Sequence, residues 1–98
     1  MTIQKMKNGS ALTIAPEGRL DTITAPELEA VLKEELNGVE DLTFDLEKLD
    51  YISSAGLRVL LSAQKIMTRQ GSMKLCHVNE SIMEILEVTG FVDILTIE

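Results

Sequence analysis

The sequence has 98 residues and a mass of 10.8 kDa, with 45% apolar and 26% charged side chains. These values are typical of one globular domain over residues 1–98 and argue against a disordered chain. The net charge of −7 disfavours binding to nucleic acid or to an anionic membrane surface, because both are themselves negative. We therefore expect neither as a partner.

Cys76 and His77 are the only cysteine and the only histidine. A disulfide framework within the chain, a zinc cluster of several thiolates and a two-histidine metal site are therefore excluded. The first ten residues lack the apolar core of a signal peptide, and no apolar run approaches the ~18 residues of a membrane span. We expect a cytoplasmic protein without a metal or another cofactor.

The first third of the chain predicts a hairpin followed by a helix. Residues 3–7 and 11–16 are predicted as strands joined by the turn dipeptide Asn8-Gly9, and residues 17–21 as an irregular connection. Thr24 and Glu27 have the spacing of a capping box, with Pro26 in the first turn. The helix that follows has an apolar stripe and ends near Gly38. The stripe consists of Leu28, Val31, Leu32 and Leu36.

The remainder alternates strands with helices. Residues 41–46 alternate with period two, as in a strand covered on one side only. Ser53 or Ser54 can cap a second helix that runs to about Gln70. The apolar stripe of this helix comprises Leu57, Leu60, Leu61 and Met67, widened by Val59, Ala63 and Ile66.

The last third predicts a strand, a short helix and an edge strand. Residues 73–78 form the strand, with Cys76 as a small core residue and His77 as a partly buried one. Asn79 caps the short helix, which ends at Gly90. Residues 94–97 are predicted as an edge strand.

The predicted order is β-β-α-β-α-β-α-β. Strands that alternate with helices require right-handed crossovers and a largely parallel sheet after the first hairpin. The predicted class is α/β (α+β layered), with a mixed sheet of four to five strands and helices mainly on one face.

No constellation of catalytic residues is present. Ser53-Ser54-Ala55-Gly56 lacks the G-x-S-x-G elbow of serine hydrolases, and the only histidine that could act as a base lies in a predicted strand. The glycine-rich loops that bind nucleotide phosphates are also missing. We therefore predict that the protein is not an enzyme.

The start of the second predicted helix is the segment with a possible regulatory role. Two hydroxyls lie there beside free backbone N–H groups and the positive end of a helix dipole, where a phosphate could be held. The alternative is an ordinary serine N-cap, with Gly56 allowing close packing of the helix.

The segment Tyr51-Ile52-Ser53-Ser54-Ala55-Gly56-Leu57 resembles the signature of the STAS domain, specifically of the anti-sigma-factor antagonists. In that signature an aromatic and an aliphatic residue precede D-S-[ST]-G-L. Gly18-Arg19-Leu20-Asp21, followed by Thr24-Ala25, is similar to the family's G-x-[LI]-D loop. Residues 82–86 and Gly90-Phe91 resemble its final helix and glycine-aromatic exit.

This resemblance implies the STAS fold and a regulatory function. Family antagonists bind an anti-sigma factor that is also a serine kinase of the GHKL ATPase type, and binding releases the sigma factor. Phosphorylation of a serine, which corresponds to Ser54 here, breaks the complex, and a metal-dependent serine phosphatase restores it. Ser53 replaces the aspartate of the motif, and Ala55 replaces a second hydroxyl found in many members.

The resemblance also implies a surface for the partner. It comprises Asp21, Ser53, Ser54, Ala55, Gly56, Leu57 and Arg58. Asp21 could pair with a basic group of the partner, or serve only in the turn before the first helix. Two alternative functions remain: a STAS scaffold subunit of a signalling or lipid-transport complex without a phosphorylation cycle, and a small-molecule or nucleotide-binding module.

Overall fold

The computed structural model describes residues 1–98. Strand β1 (Thr2–Asn8) and strand β2 (Ala11–Leu20) form an antiparallel hairpin in which Asn8 pairs with Ala11. The turn residues are therefore Gly9 and Ser10, one position later than the predicted Asn8-Gly9. The φ angle of Gly9 is 63°, whereas that of Ser10 is not positive. This is the pattern of a two-residue hairpin turn with glycine at its first central position.

The prediction of an irregular connection over residues 17–21 is wrong. Strand β2 continues to Leu20, and one of its edges pairs with different strands in its first and last parts. Gly18, with a φ of 93°, lies where the register shifts. After it, β2 pairs in parallel with β4 (Leu49–Ile52), which the sequence analysis missed. The burial of β4 does not alternate, because only its first and last residues face the core, so it has no period-two signal.

The five strands form one mixed sheet. β2 pairs in parallel with β3 (Asp41–Asp45), which pairs in parallel with β5 (Ser72–Cys76), giving the order β1-β2-β3-β5 with β4 beside β2. The predicted class and strand count are confirmed. The predicted edge strand at 94–97 is reduced to one bridge between Ile97 and Leu75.

Three helices cover one face of this sheet. They are α1 (Ala25–Glu35), α2 (Ser54–Gln70) and α3 (Glu80–Thr89), followed by a 3₁₀ turn over Phe91–Asp93. The buried strand residues face them, and together with helix and loop residues they form a core of 23 buried apolar side chains. On the other face, Thr13, Thr43 and Lys74 remain half-buried. No helix has both the length and the apolar character needed to cross a membrane.

The helix starts differ in how they are capped. Asn79 caps α3 as predicted, its side chain accepting from the N–H of Ile82 at 2.9 Å. The capping box predicted for α1 is not formed, because the Thr24 hydroxyl accepts from the Asp21 N–H and donates to the Arg19 carbonyl instead.

The buried face of α2 is narrower than predicted. Leu57, Leu60 and Met67 are buried, but Leu61 is only half-buried and Ile66 is 42% exposed. The exposure of Leu61 and Ile66 is expected, because a helix that packs against one sheet buries only one side of its surface.

The end of β5 also departs from the prediction. The strand stops at Cys76, and His77 is exposed in a left-handed conformation with a φ of 56°. Cys76 is half-buried on the face that no helix covers, and is not part of the core.

Gly56 allows the start of α2 to approach the sheet. A Cβ atom there would lie 2.7 Å from Leu20 Cγ and 2.8 Å from Ile52 Cγ1, and both of these side chains are buried. Real Cβ atoms do not approach this closely, so a larger residue must displace either the Leu20 and Ile52 side chains or the start of α2.

We expect Gly56→Ala to destabilise the protein by about 1–3 kcal/mol, the usual cost of overpacking a well-filled core. Urea unfolding measures this change. Ser62→Ala, an exposed substitution on the same helix, serves as the control and should change stability by less than about 0.5 kcal/mol. Equal stabilities for the two variants would contradict close packing at Gly56.

Candidate functional site

The end of β2 and the start of α2 are tied together by the backbone. Leu20 pairs with Ile52, and the Ser53 N–H donates to the Leu20 carbonyl at 2.8 Å. Asp21 and Ser54 each follow one member of this bonded pair. The geometry therefore brings together the two segments, far apart in sequence, in which the site residues were predicted.

Asp21 organises the turn between β2 and α1. Its Oδ1 accepts from the backbone N–H groups of Ile23 at 3.0 Å and Thr24 at 3.1 Å. The hydrogen bond from Thr24, assisted by that from Ile23 and by nearby Arg19, lowers the pKa of this carboxyl group below its usual value. The turn role considered for Asp21 is thus present, and its Oδ2 lies 3.8 Å from Arg19 Nε.

The two adjacent serines have opposite environments. Ser53 is the N-cap residue of α2, but its Oγ is buried and has no hydrogen-bond partner. Ser54 is the first helical residue and is exposed. Only the Ser54 hydroxyl is therefore accessible to another protein.

The first turn of α2 presents free donors. The first helical hydrogen bond is from the Leu57 N–H to the Ser53 carbonyl at 2.9 Å. The N–H groups of Ser54, Ala55 and Gly56 precede it and have no backbone acceptor. Since these groups carry the positive end of the helix dipole, they favour an anionic group beside Ser54.

A shallow groove between α1 and α2 adjoins this turn. Its volume is about 230 Å³, and Ala55 and Arg58 line it on the α2 side. Thr22, Pro26 and Glu29 line the opposite side. Arg58 is exposed, lies one helical turn after Ser54 and makes no ion pair. Residues four apart lie on the same side of a helix, so Arg58 is the nearest cation along the helix to a group on Ser54.

Two of the predicted site residues point into the core. Gly56 is buried against Leu20 and Ile52, and Leu57 is only 4% exposed. In this fold they place the first turn of α2 against the sheet, and their contact with a partner stays a prediction. Leu57 lies on the face of α2 that packs against the sheet.

A cation–π pair that was not predicted from the sequence lies beside the site. Arg19 and Tyr51 are register partners on β2 and β4, and the guanidinium carbon lies 4.3 Å from the ring centroid. The pair is partly exposed and adjoins Asp21 through Arg19. Predicting this pair would have required recognising β4 as a strand, because only the pairing of β4 with β2 brings Arg19 and Tyr51 together.

The chain matches known proteins over its whole length. The STAS domain model matches residues 2–98. BtrV of Bordetella bronchiseptica, provisionally assigned as an anti-sigma factor antagonist, is 40% identical over 80 residues, which are 80% of this chain and 69% of that protein. The anti-sigma-B factor antagonist of Bacillus subtilis is 28% identical over 98 residues, covering 99% of this chain and 90% of that one.

Among solved structures, the anti-sigma factor antagonist SpoIIAA in its unphosphorylated form aligns with a TM-score of 0.76 at 15% identity, over 99% of this chain and 87% of that one. The Bacillus cell fate determinant SpoIIAA in its phosphorylated form gives 0.76 at 16% identity, over 99% and 91%. At such identities this likeness shows the fold alone.

The chain therefore belongs to the STAS domain family. Its named relatives are antagonists of anti-sigma factors, which are regulators and not enzymes. The expected family and the expected non-enzymatic class are both confirmed.

We expect Asp21 to titrate below its usual value of 3.8 in an NMR titration of the carboxyl groups. A pKa that folding lowers stabilises the fold above the pKa of the unfolded chain, and this stabilisation is lost as the pH falls through the folded value. Asp21→Asn should therefore unfold more easily than the wild type at pH 7, with a difference that shrinks as the pH falls below about 4.

Asp50→Asn is the matched control, because it removes the same charge from an exposed residue without a recorded hydrogen bond or ion pair. A pH-independent difference between Asp21→Asn and the wild type would mean that the carboxylate charge contributes nothing to the turn.

Proposed function

We propose that this protein is an anti-sigma-factor antagonist controlled by phosphorylation of Ser54. In the unmodified form, one STAS domain over residues 1–98 binds an anti-sigma-factor serine kinase of the GHKL ATPase type and so releases a sigma factor. Phosphorylation of Ser54 by that kinase ends the interaction, and a serine phosphatase restores it. The cycle takes place in the cytoplasm and involves neither nucleic acid nor membrane.

The relatives support the general role. Both BtrV and the Bacillus subtilis protein are named for antagonism of anti-sigma factors, and SpoIIAA, which has the same fold, has both an unphosphorylated and a phosphorylated form. The partner surface of the proposal combines Asp21, Ser54, Ala55 and Arg58 with the groove between α1 and α2.

The observation that carries the choice of Ser54 is the contrast with Ser53. A kinase must reach the hydroxyl of its acceptor residue, and only Ser54 is exposed, whereas the Ser53 Oγ is enclosed. Ser54 also begins a helix, where its side chain can enter a kinase cleft without unfolding of the strand before it.

Charge provides the switch. A phosphoryl group adds about −1.5 to −2 charge. The free N–H groups of α2 can donate hydrogen bonds to it, and Arg58 can pair with its charge. The domain itself therefore tolerates the modification. A partner whose surface complements the unmodified site must instead desolvate the phosphate and oppose its charge, and 1.4 kcal/mol of such cost lowers affinity tenfold.

We expect Ser54→Ala to keep its affinity for the kinase and to escape phosphorylation by it. Ser54→Asp should bind at least tenfold more weakly, because it places a carboxylate where the partner meets a hydroxyl. The measurement uses the kinase that co-purifies with the tagged protein from its native cells. Calorimetry gives the affinity, and peptide mass spectrometry after incubation with ATP gives the modified residue.

Ser53→Ala is the matched control, since it removes the neighbouring hydroxyl and should leave phosphorylation at Ser54 intact. Modification of Ser53, or equal affinity of Ser54→Asp and the wild type, would refute the switch. A stoichiometric complex that contains no kinase, with no modification under any growth condition, would establish the scaffold function in its place.

A further inference from the structure

Three side chains with metal-binding atoms converge where β3 and β5 end. Asp45 is the last residue of β3 and pairs with Cys76, the last residue of β5. His77 follows Cys76 directly. Because the two strands are parallel and in register, their carboxyl ends meet at one edge of the sheet, and a carboxylate, a thiol and an imidazole meet with them.

The distances are close to those of a coordination sphere. His77 Nδ1 lies 2.8 Å from Asp45 Oδ1 and 3.7 Å from Cys76 Sγ. One ligand atom from each residue fits within 4.8 Å of the others. A tetrahedral zinc ion with bonds of 2.0–2.3 Å separates its ligand atoms by about 3.3–3.6 Å, so small side-chain movements would complete the geometry.

The backbone of His77 is held in an uncommon conformation. It is the only residue other than glycine with a positive φ, at 56°. The side chain is 61% exposed, so burial of the ring does not account for this conformation. The left-handed turn brings the imidazole to Asp45, and such outliers tend to occur where a side chain must be aimed.

The surrounding charges favour a cation. Asp45, Glu47 and Glu98 act electrostatically on Cys76, opposed by Lys74. A divalent ion bound there would hold the coordinating thiol in its deprotonated form.

We propose that Asp45, Cys76 and His77 form a binding site for one Zn²⁺ ion, with a fourth position open to water. Sulfur, imidazole nitrogen and carboxylate oxygen are the ligands that zinc takes in proteins. On binding, the thiol proton and any proton on Nδ1 of His77 pass to solvent, and metal bonds replace the Asp45–His77 hydrogen bond. The bound ion joins the ends of β3 and β5 and does not depend on the role proposed for Ser54.

The test uses the full 98-residue chain stripped of metal. Competition with a chromophoric zinc chelator gives affinity and stoichiometry, and Co²⁺ provides a spectroscopic substitute whose thiolate charge-transfer band reports a bond to sulfur. We expect one ion per chain, a Co²⁺ band of this kind, and a higher melting temperature with zinc, since a ligand that binds only the folded state stabilises it.

Three variants remove one ligand each: Asp45→Asn, Cys76→Ser and His77→Asn. Asparagine tolerates the left-handed backbone, so the last keeps the turn while removing the nitrogen ligand. Each should lower zinc affinity at least tenfold, and Cys76→Ser should also abolish the Co²⁺ band. Asp41→Asn, at the opposite end of β3 where it bonds Ser72, is the control and should bind zinc like the wild type.

Three results would overturn the site: no saturable zinc binding by the wild type, a Co²⁺ spectrum without the thiolate band, or equal losses in Asp41→Asn and Asp45→Asn. The first two are measured on the unaltered chain and so do not depend on the folding of any variant. Circular dichroism of each variant without metal confirms its fold before affinities are compared.

Discussion

The pairing of the second half of β2 with β4 is the constraint on which the candidate site depends. β4 ends beside Leu20, the Ser53 N–H bonds to the Leu20 carbonyl, and the missing side chain of Gly56 lets α2 begin directly above both strands. Without this pairing the turn that holds Asp21 and the turn that exposes Ser54 would be independent loops. The pairing therefore joins two segments that are distant in sequence into one surface.

The same constraint separates the proposed switch from the stability of the fold. Leu57 and Gly56 are committed to the core, whereas Ser54, Ala55 and Arg58 project from the opposite side of the same turn. A charge placed on Ser54 meets free N–H groups and a cation, both of which favour it. The proposed modification would therefore change the surface that a partner encounters and leave the 23-residue core unchanged.

The sequence predicts best where a periodic apolar pattern and a local cap agree. The helix that Asn79 caps and Gly90 ends, and the alternating strand that contains Phe44, are found as predicted. The predictions that failed involve long-range pairing. β4 is short and lacks alternation, so its partner β2 and the bend at Gly18 could not be inferred locally. The capping box at Thr24 failed because the hydroxyl bonds to residues of the preceding strand and turn.

The same contrast between local pattern and long-range packing applies to the candidate site. The sequence places Ser54 at the cap or in the first turn of a helix, and the structure resolves this by making Ser53 the N-cap and Ser54 the first helical residue. Which of the adjacent serines is exposed depends on how α2 lies against β2 and β4, and that orientation encloses the Ser53 hydroxyl. The cluster of Asp45, Cys76 and His77 likewise could not be predicted from the sequence, since Cys76 lies 31 positions after Asp45 and only the register of two parallel strands brings them together.

Ser53 links the packing of α2 to the electrostatics of the proposed switch. It occupies the position at which the family motif has an aspartate, and its hydroxyl is buried without a partner and caps no N–H group of α2. An aspartate there would offer a carboxylate to the free N–H groups of the first turn and would partly neutralise them. With serine, those groups keep their full positive potential, so a phosphate on Ser54, as proposed above, would be the first strong anion that they meet. Under the proposed switch, the replacement of the aspartate therefore increases the electrostatic contrast between the modified and the unmodified state.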